Sequence, residues 1–210
     1  MSYILRGGND AIFVTTYREG RPAASVLHET GGVDEAKRDA MNLEELRVTL
    51  ARVDKSSWCS SGHAGASVRW LPLVNISESG LWLGLEQEGE WILGRKHGSI
   101  VPSKIGRPLP QPWLTLLDIS ETDFERRLDD AARQFRLPSA FLQARVPVDD
   151  VIALGLGSHS SHWAECATRW LVGRRLREDH IVLLRETLSS RWATQWTRQT
   201  ASRLVAAEAP

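Results

Sequence analysis

Trp70-Leu71-Pro72-Leu73-Val74-Asn75-Ile76, Leu81-Trp82-Leu83-Gly84-Leu85-Glu86 and Glu90-Trp91-Ile92-Leu93 are three short apolar runs, parted by Ser77-Glu78-Ser79-Gly80 and Gln87-Glu88-Gly89. Each run has the length of a strand, and each break is built from residues that favour turns. Together they read as a three-stranded antiparallel meander. Successive side chains of a strand point to opposite faces, so Leu81, Leu83 and Leu85 take one side while Trp82, Gly84 and Glu86 take the other.

Working back toward the amino terminus, Ser56-Ser57-Trp58-Cys59-Ser60-Ser61-Gly62-His63-Ala64-Gly65 is small, polar and glycine-rich, and reads as a loop. Before it, Asn42-Leu43-Glu44-Glu45 has capping-box form, and Leu43, Leu46, Leu50 and Val53 recur at helical spacing, which predicts a helix over 43–54. The β-branched and aromatic run from Ala11 to Tyr17, a turn at Glu19-Gly20 and a return from Pro22 to His28 predict a hairpin ended by Gly31-Gly32.

On the other side of the meander, Pro102, Pro108, Pro110 and Pro112 make an extended connector, and the apolar run from Trp113 to Ile119 suggests a further buried strand. Ser120 with Asp123 caps a helix whose Phe124, Leu128, Ala131, Ala132 and Phe135 form one stripe, ending before Pro138. Helices are then predicted over 149–154, 161–172, 179–188 and 191–206, with Gly155-Leu156-Gly157 and Gly173 as punctuation. The fold class is α+β: a mainly antiparallel amino-terminal sheet with packed helices, followed by a helical carboxy-terminal part. Residues 1–137 are expected to form the sheet domain and 148–207 a helical subdomain docked on it, with the boundary at Pro138 to Pro147.

The 210 residues suffice to bury a core without disulfides. Basic and acidic side chains number 26 each, so no whole-molecule field draws the chain to nucleic acid or an anionic membrane. No run of about 18 apolar residues occurs, and the first ten residues hold no secretory apolar stretch. Cys59 and Cys166 lie far apart, as reduced thiols do, so the expectation is a cytoplasmic protein with no membrane partner. Only four of the 26 basic residues are Lys, a skew that points to a GC-rich bacterial source.

Several constellations bear on chemistry. Cys59-x3-His63 with His159-x2-His162-x3-Cys166 offers thiolate and imidazole ligands for zinc, and a helix would put His162 and Cys166 on one face. The same Cys59, with His63 or His97 as base, is a candidate nucleophile. Asp118 ends an apolar run, where it reads as a catalytic carboxylate or as part of a helix cap. The Gly155-Leu156-Gly157 pair lacks the third glycine of a dinucleotide loop and reads as a turn.

Charge is uneven along the chain. Between 167 and 205 eight Arg, among them Arg174, Arg175, Arg191 and Arg198, face three acidic residues, a patch able to contact nucleic-acid phosphates. At the meander tips, Glu86, Glu88 and Glu90 border Trp82 and Trp91, an aromatic anchor with an acidic rim for a basic protein partner. None of these motifs requires a cofactor, and their scatter favours a non-enzymatic protein-binding module of the immunity or inhibitor kind. A Cys/His-based enzyme or metal-binding protein is the first alternative, and nucleic-acid binding through the carboxy-terminal arginines the second.

Overall fold

Residues 2–7, 11–18, 21–24, 43–63, 66–103 and 108–208 are described by a computed structural model, with side chains of 2–24, His63, Ala66 and Pro102 outside that description. The chain forms two compact units, residues 1–42 and 43–210. In the first, β1 (Ser2–Gly7), β2 (Ala11–Arg18) and β3 (Arg21–Ala24) make an antiparallel sheet in that order. The predicted hairpin is its β2–β3 pair, while the Glu19-Gly20 turn, the Gly31-Gly32 end and Asn42 lie outside the described residues.

The second unit opens with helix α1 (43–52), whose Leu46 and Leu50 are buried as the spacing required. A five-stranded antiparallel meander follows: β4 (Cys59–His63), β5 (Ala66–Asn75), β6 (Leu81–Glu86), β7 (Trp91–Arg95) and β8 (Ile100–Pro102). Two strands are thus added to the three expected. The supposed loop around Cys59 is β4, because Ser61 Oγ accepts from Trp70 Nε1 at 3.0 Å and donates to Arg95 O at 3.1 Å, tying a weak strand former to its neighbours. A register shift between Pro72 and Val74 makes Leu73 a bulge, which lets a residue with no N–H sit inside an interior strand.

Alternation sorts the sheet into two faces. Leu71, Leu83, Leu85, Trp91 and Leu93 join the main core with the helices, whereas Trp70, Ile92 and Ile100 form a second cluster with Cys59, Val68 and Trp82 packed on it. The sheet curls about this second face, bringing Gly62 into a bridge with Ser99. Glycine makes the curl possible: a Cβ on Gly84 would stand 2.2 Å from the Leu71 carbonyl oxygen, and one on Gly94 2.5 Å from Ile100 Cγ2.

Seven helices belong to this unit among the described residues: α1, then α2 (Glu121–Phe135), α3 (Ser139–Arg145), α4 (Val148–Gly157), α5 (Ser161–Leu171), α6 (Glu178–Ser189) and α7 (Gln195–Ala207). The run from Trp113 to Ile119 is not a strand. It is a 3₁₀ segment, Gln111–Asp118, started by Pro112 and burying Trp113, Leu114, Leu116 and Leu117. Ser120 Oγ caps α2 by accepting from Asp123 N, and α2 ends where Arg136 adopts φ 56°, just before Pro138. Pro138 to Pro147 lies inside the 43–210 unit. That stretch is α3, and its buried Leu142 and Val146 share one core with Leu83 of the sheet and Leu184 of α6. Among the described residues no helix is long and apolar enough to cross a membrane.

Candidate metal centre

Asp118, His162 and Cys166 come together where the 3₁₀ segment meets α5. Gly155 of α4 sets this junction: a Cβ there would lie 2.7 Å from Leu117 Cδ1, 2.9 Å from Ala167 Cβ and 3.2 Å from the Trp163 carbonyl. Only hydrogen fits. Trp170 Nε1 then donates to the Ile119 carbonyl at 3.0 Å, fixing the end of the 3₁₀ segment against α5. His162 and Cys166, four residues apart on α5, share a face as the spacing predicts.

His162 Nε2 lies 2.9 Å from Asp118 Oδ1 and 4.0 Å from Cys166 Sγ, and the three donor atoms all fall within 4.8 Å of one another. Both contacts use the same imidazole nitrogen. In a Cys–His–Asp relay the nucleophile and the orienting carboxylate occupy opposite nitrogens, so this arrangement does not serve one. Three side chains that can each ligate a metal ion thus converge. Tetrahedral zinc, with N or O at roughly 2.0–2.2 Å and sulfur at roughly 2.3 Å, would hold its donors roughly 3.3–3.8 Å apart, so the hydrogen-bonded His162–Asp118 pair at 2.9 Å would open and the Cys166–His162 pair at 4.0 Å would close around an ion.

The side chains of His162 and Asp118 are 60% and 43% exposed, so the cluster opens to solvent. The Trp163 ring packs edge-on at 4.5 Å and limits where the imidazole can go. Burial pushes the Cys166 thiol up from its ordinary pKa and the Asp118 carboxylate pushes it further, while Arg169 pulls it down by less than Asp118 raises it and Glu165 adds the smallest push upward. Near neutral pH the group is therefore a thiol and a poor nucleophile.

The other thiol and imidazoles do not join this set among the described residues. Cys59 belongs to β4, paired with Trp70 and packed at the sheet's second face. His159, at φ 56° just before α5, turns its ring edge to Trp192 at 5.7 Å. The His63 side chain lies outside the described residues, and His97 is exposed in the turn after β7. The sequence split the set: His162 and Cys166 were paired by spacing, whereas Asp118, 44 residues before His162, stood alone as a strand-end or capping carboxylate.

The expected anchor at the meander tips is half corrected. Trp91 is only 3% exposed and packs in the main core, because it shares the Leu93 face of β7. Trp82 is half-buried on the opposite face, with Lys96 Nζ 3.8 Å from its ring centre. Glu88 pairs with Arg47 at 3.3 Å. Burial holds the Glu86 carboxyl above its usual range, and Glu90 and Glu88 add like-charge repulsion.

The carboxy-terminal arginines divide in the same way. Arg174 is paired with Glu121, and Arg198 donates to the carbonyls of Ser190 and Ala193, closing the turn that leads into α7. Arg175 and Arg191 are exposed. Trp196 is 41% exposed with the Arg169 guanidinium 5.5 Å from its ring.

No protein-family model, no curated protein and no solved structure matches this chain.

Proposed function

We propose that the chain is a metal-binding protein whose Asp118, His162 and Cys166 hold a divalent transition-metal ion of the zinc type. The approach of both the carboxylate and the thiol to one nitrogen of His162 carries this reading. Carboxylate, imidazole and sulfur together suit a borderline-soft ion better than magnesium or calcium, which favour oxygen. Titrating the metal-free chain with cobalt(II) tests it. A thiolate-to-cobalt charge-transfer band is expected to appear, to vanish in Cys166→Ser and to persist in Cys59→Ser. Absence of the band at excess cobalt, or its survival in Cys166→Ser, overturns the reading.

A module that docks a basic protein, of the inhibitor or immunity kind, is the second reading. The crowding of Glu90 and Glu88 around the partly buried Glu86 favours it, since a docked cation would relieve that repulsion. A lysine-rich peptide titrated against the chain and against Glu86→Gln separates the two readings. Binding weakened by the substitution supports docking, and binding without change removes it.

A further inference from the structure

A cleft of about 360 Å³ lies between α1, the short turn Lys55–Ser57, β5 and the β6–β7 turn, apart from the candidate metal centre. Leu50, Ala51 and Val53 give it an apolar side, and Arg47, Lys55 and Arg69 give it three cations. Arg47 is taken up by two carboxylates, Glu88 of the lining at 3.3 Å and Glu44 outside it at 3.7 Å, and its Nε donates to the Glu88 carbonyl. That leaves Lys55 and Arg69. Among the described residues neither carries an ion pair.

Arg69 is also held in place. Its guanidinium lies 5.3 Å from the Trp58 ring centre, and Nη2 donates to the Lys55 carbonyl at 3.5 Å. Trp58 packs in turn against the main core, so the platform under the guanidinium is fixed. An arginine whose fork is oriented before any ligand arrives loses less freedom on binding an oxyanion than a free one does. Its planar donors match a phosphate edge, and the Lys55 ammonium supplies a second, mobile charge. Two cations without an ion pair suit the dianionic phosphoryl group of a monoester. The cleft exceeds the size of a phosphate ion and reaches an apolar wall, which leaves room for an organic body.

We infer that this cleft is a binding site for the phosphoryl group of a small organic phosphate, with Arg69 and Lys55 as its anion ligands and the Leu50–Val53 wall beneath the organic part. Isothermal titration of the metal-free chain at low salt, in the presence of a chelator, tests the site with two probes, inorganic phosphate and adenosine monophosphate. The monophosphate is expected to bind more tightly than phosphate. Arg69→Gln and Lys55→Gln are each expected to weaken it by about 10-fold or more, since a hydrogen bond to a charged group contributes about 1.5–3 kcal/mol. Thermal unfolding of each variant checks that the fold persists, and Lys55→Gln, exposed at the surface, is the safer of the two. Binding by either probe that is lost in both variants supports the site, and the ratio of the two affinities separates the free ion from the organic ester. No heat from either probe at millimolar concentration, or equal affinity in parent and Lys55→Gln, overturns it.

Discussion

Gly155→Ala and Gly157→Ala lie two residues apart in α4, on opposite sides of the helix, and the structure assigns them opposite outcomes. Replacing a helical glycine with alanine ordinarily gains about 0.5–1 kcal/mol by restricting the unfolded chain. At Gly157 the new methyl would meet nothing closer than Leu183 Cδ2 at 3.7 Å, so that gain should be realised. At Gly155 it would stand 2.9 Å from Ala167 Cβ and 3.2 Å from the Trp163 carbonyl, both fixed on α5, and 2.7 Å from Leu117 Cδ1. Carbon atoms pack best about 3.5–4.0 Å apart, so the shortfall at Ala167 is about 0.6–1.1 Å. Leu117 can turn aside; α5 cannot. Overpacking of this kind costs about 1–3 kcal/mol, which outweighs the helix gain and leaves a net loss of about 1–2 kcal/mol. For a unit of this size that corresponds to a drop of about 2–8 °C in the thermal midpoint. Scanning calorimetry of both variants reads it directly. The same displacement would spread the 3₁₀ segment from α5, so Gly155→Ala is also expected to weaken cobalt binding while Gly157→Ala does not. Two equally stabilised variants would refute the packing of α4, α5 and the 3₁₀ segment described above.

Other outcomes follow from single contacts. Trp91→Ala, emptying a core position, should cost about 3–5 kcal/mol in urea unfolding, and Trp82→Ala, half-buried under Lys96, distinctly less. Glu86, held above the usual carboxylate range, keeps its proton longer in the folded state than in the unfolded one, so stability falls as pH rises between the ordinary value and the raised one. Glu86→Gln should remove that fall, its urea midpoint matching the parent at acid pH and exceeding it near neutrality. Arg198→Met, which strips two carbonyls of their donor, should cost about 1–3 kcal/mol and leave DNA affinity at low salt unchanged, as a gel-shift assay would show.

The elements that sequence reasoning located share a property: their patterns are local. β6 and β7 are short apolar runs bounded by turn residues, and α2 carries its own cap at Ser120 and its own stop before Pro138, so neighbours need not be known. β4 was missed because Ser60, Ser61 and Gly62 are weak strand formers, and its pairing depends on Trp70 and Arg95. The 3₁₀ segment reads as a strand because a short apolar run carries no period, and Pro112, which the sequence groups with the preceding connector, in fact lies in its first turn. α3 is seven residues between two prolines and too short to show a stripe. The candidate centre was half legible for the same reason. A helix links His162 to Cys166 by spacing alone, whereas Asp118 reaches them through the packing that Gly155 permits.

The bridge between Gly62 and Ser99 has a bearing on how the protein behaves in company. A five-stranded meander laid flat would end in two margins of unpaired amide and carbonyl groups, each a template for strands of other molecules. By rolling β4 toward β8 the chain turns those margins on each other and narrows them to a short seam. A substitution that unrolls the sheet, such as a side chain at Gly84 or Gly94, would therefore do more than lower the melting point. It would reopen the seam and give partly unfolded copies a way to aggregate.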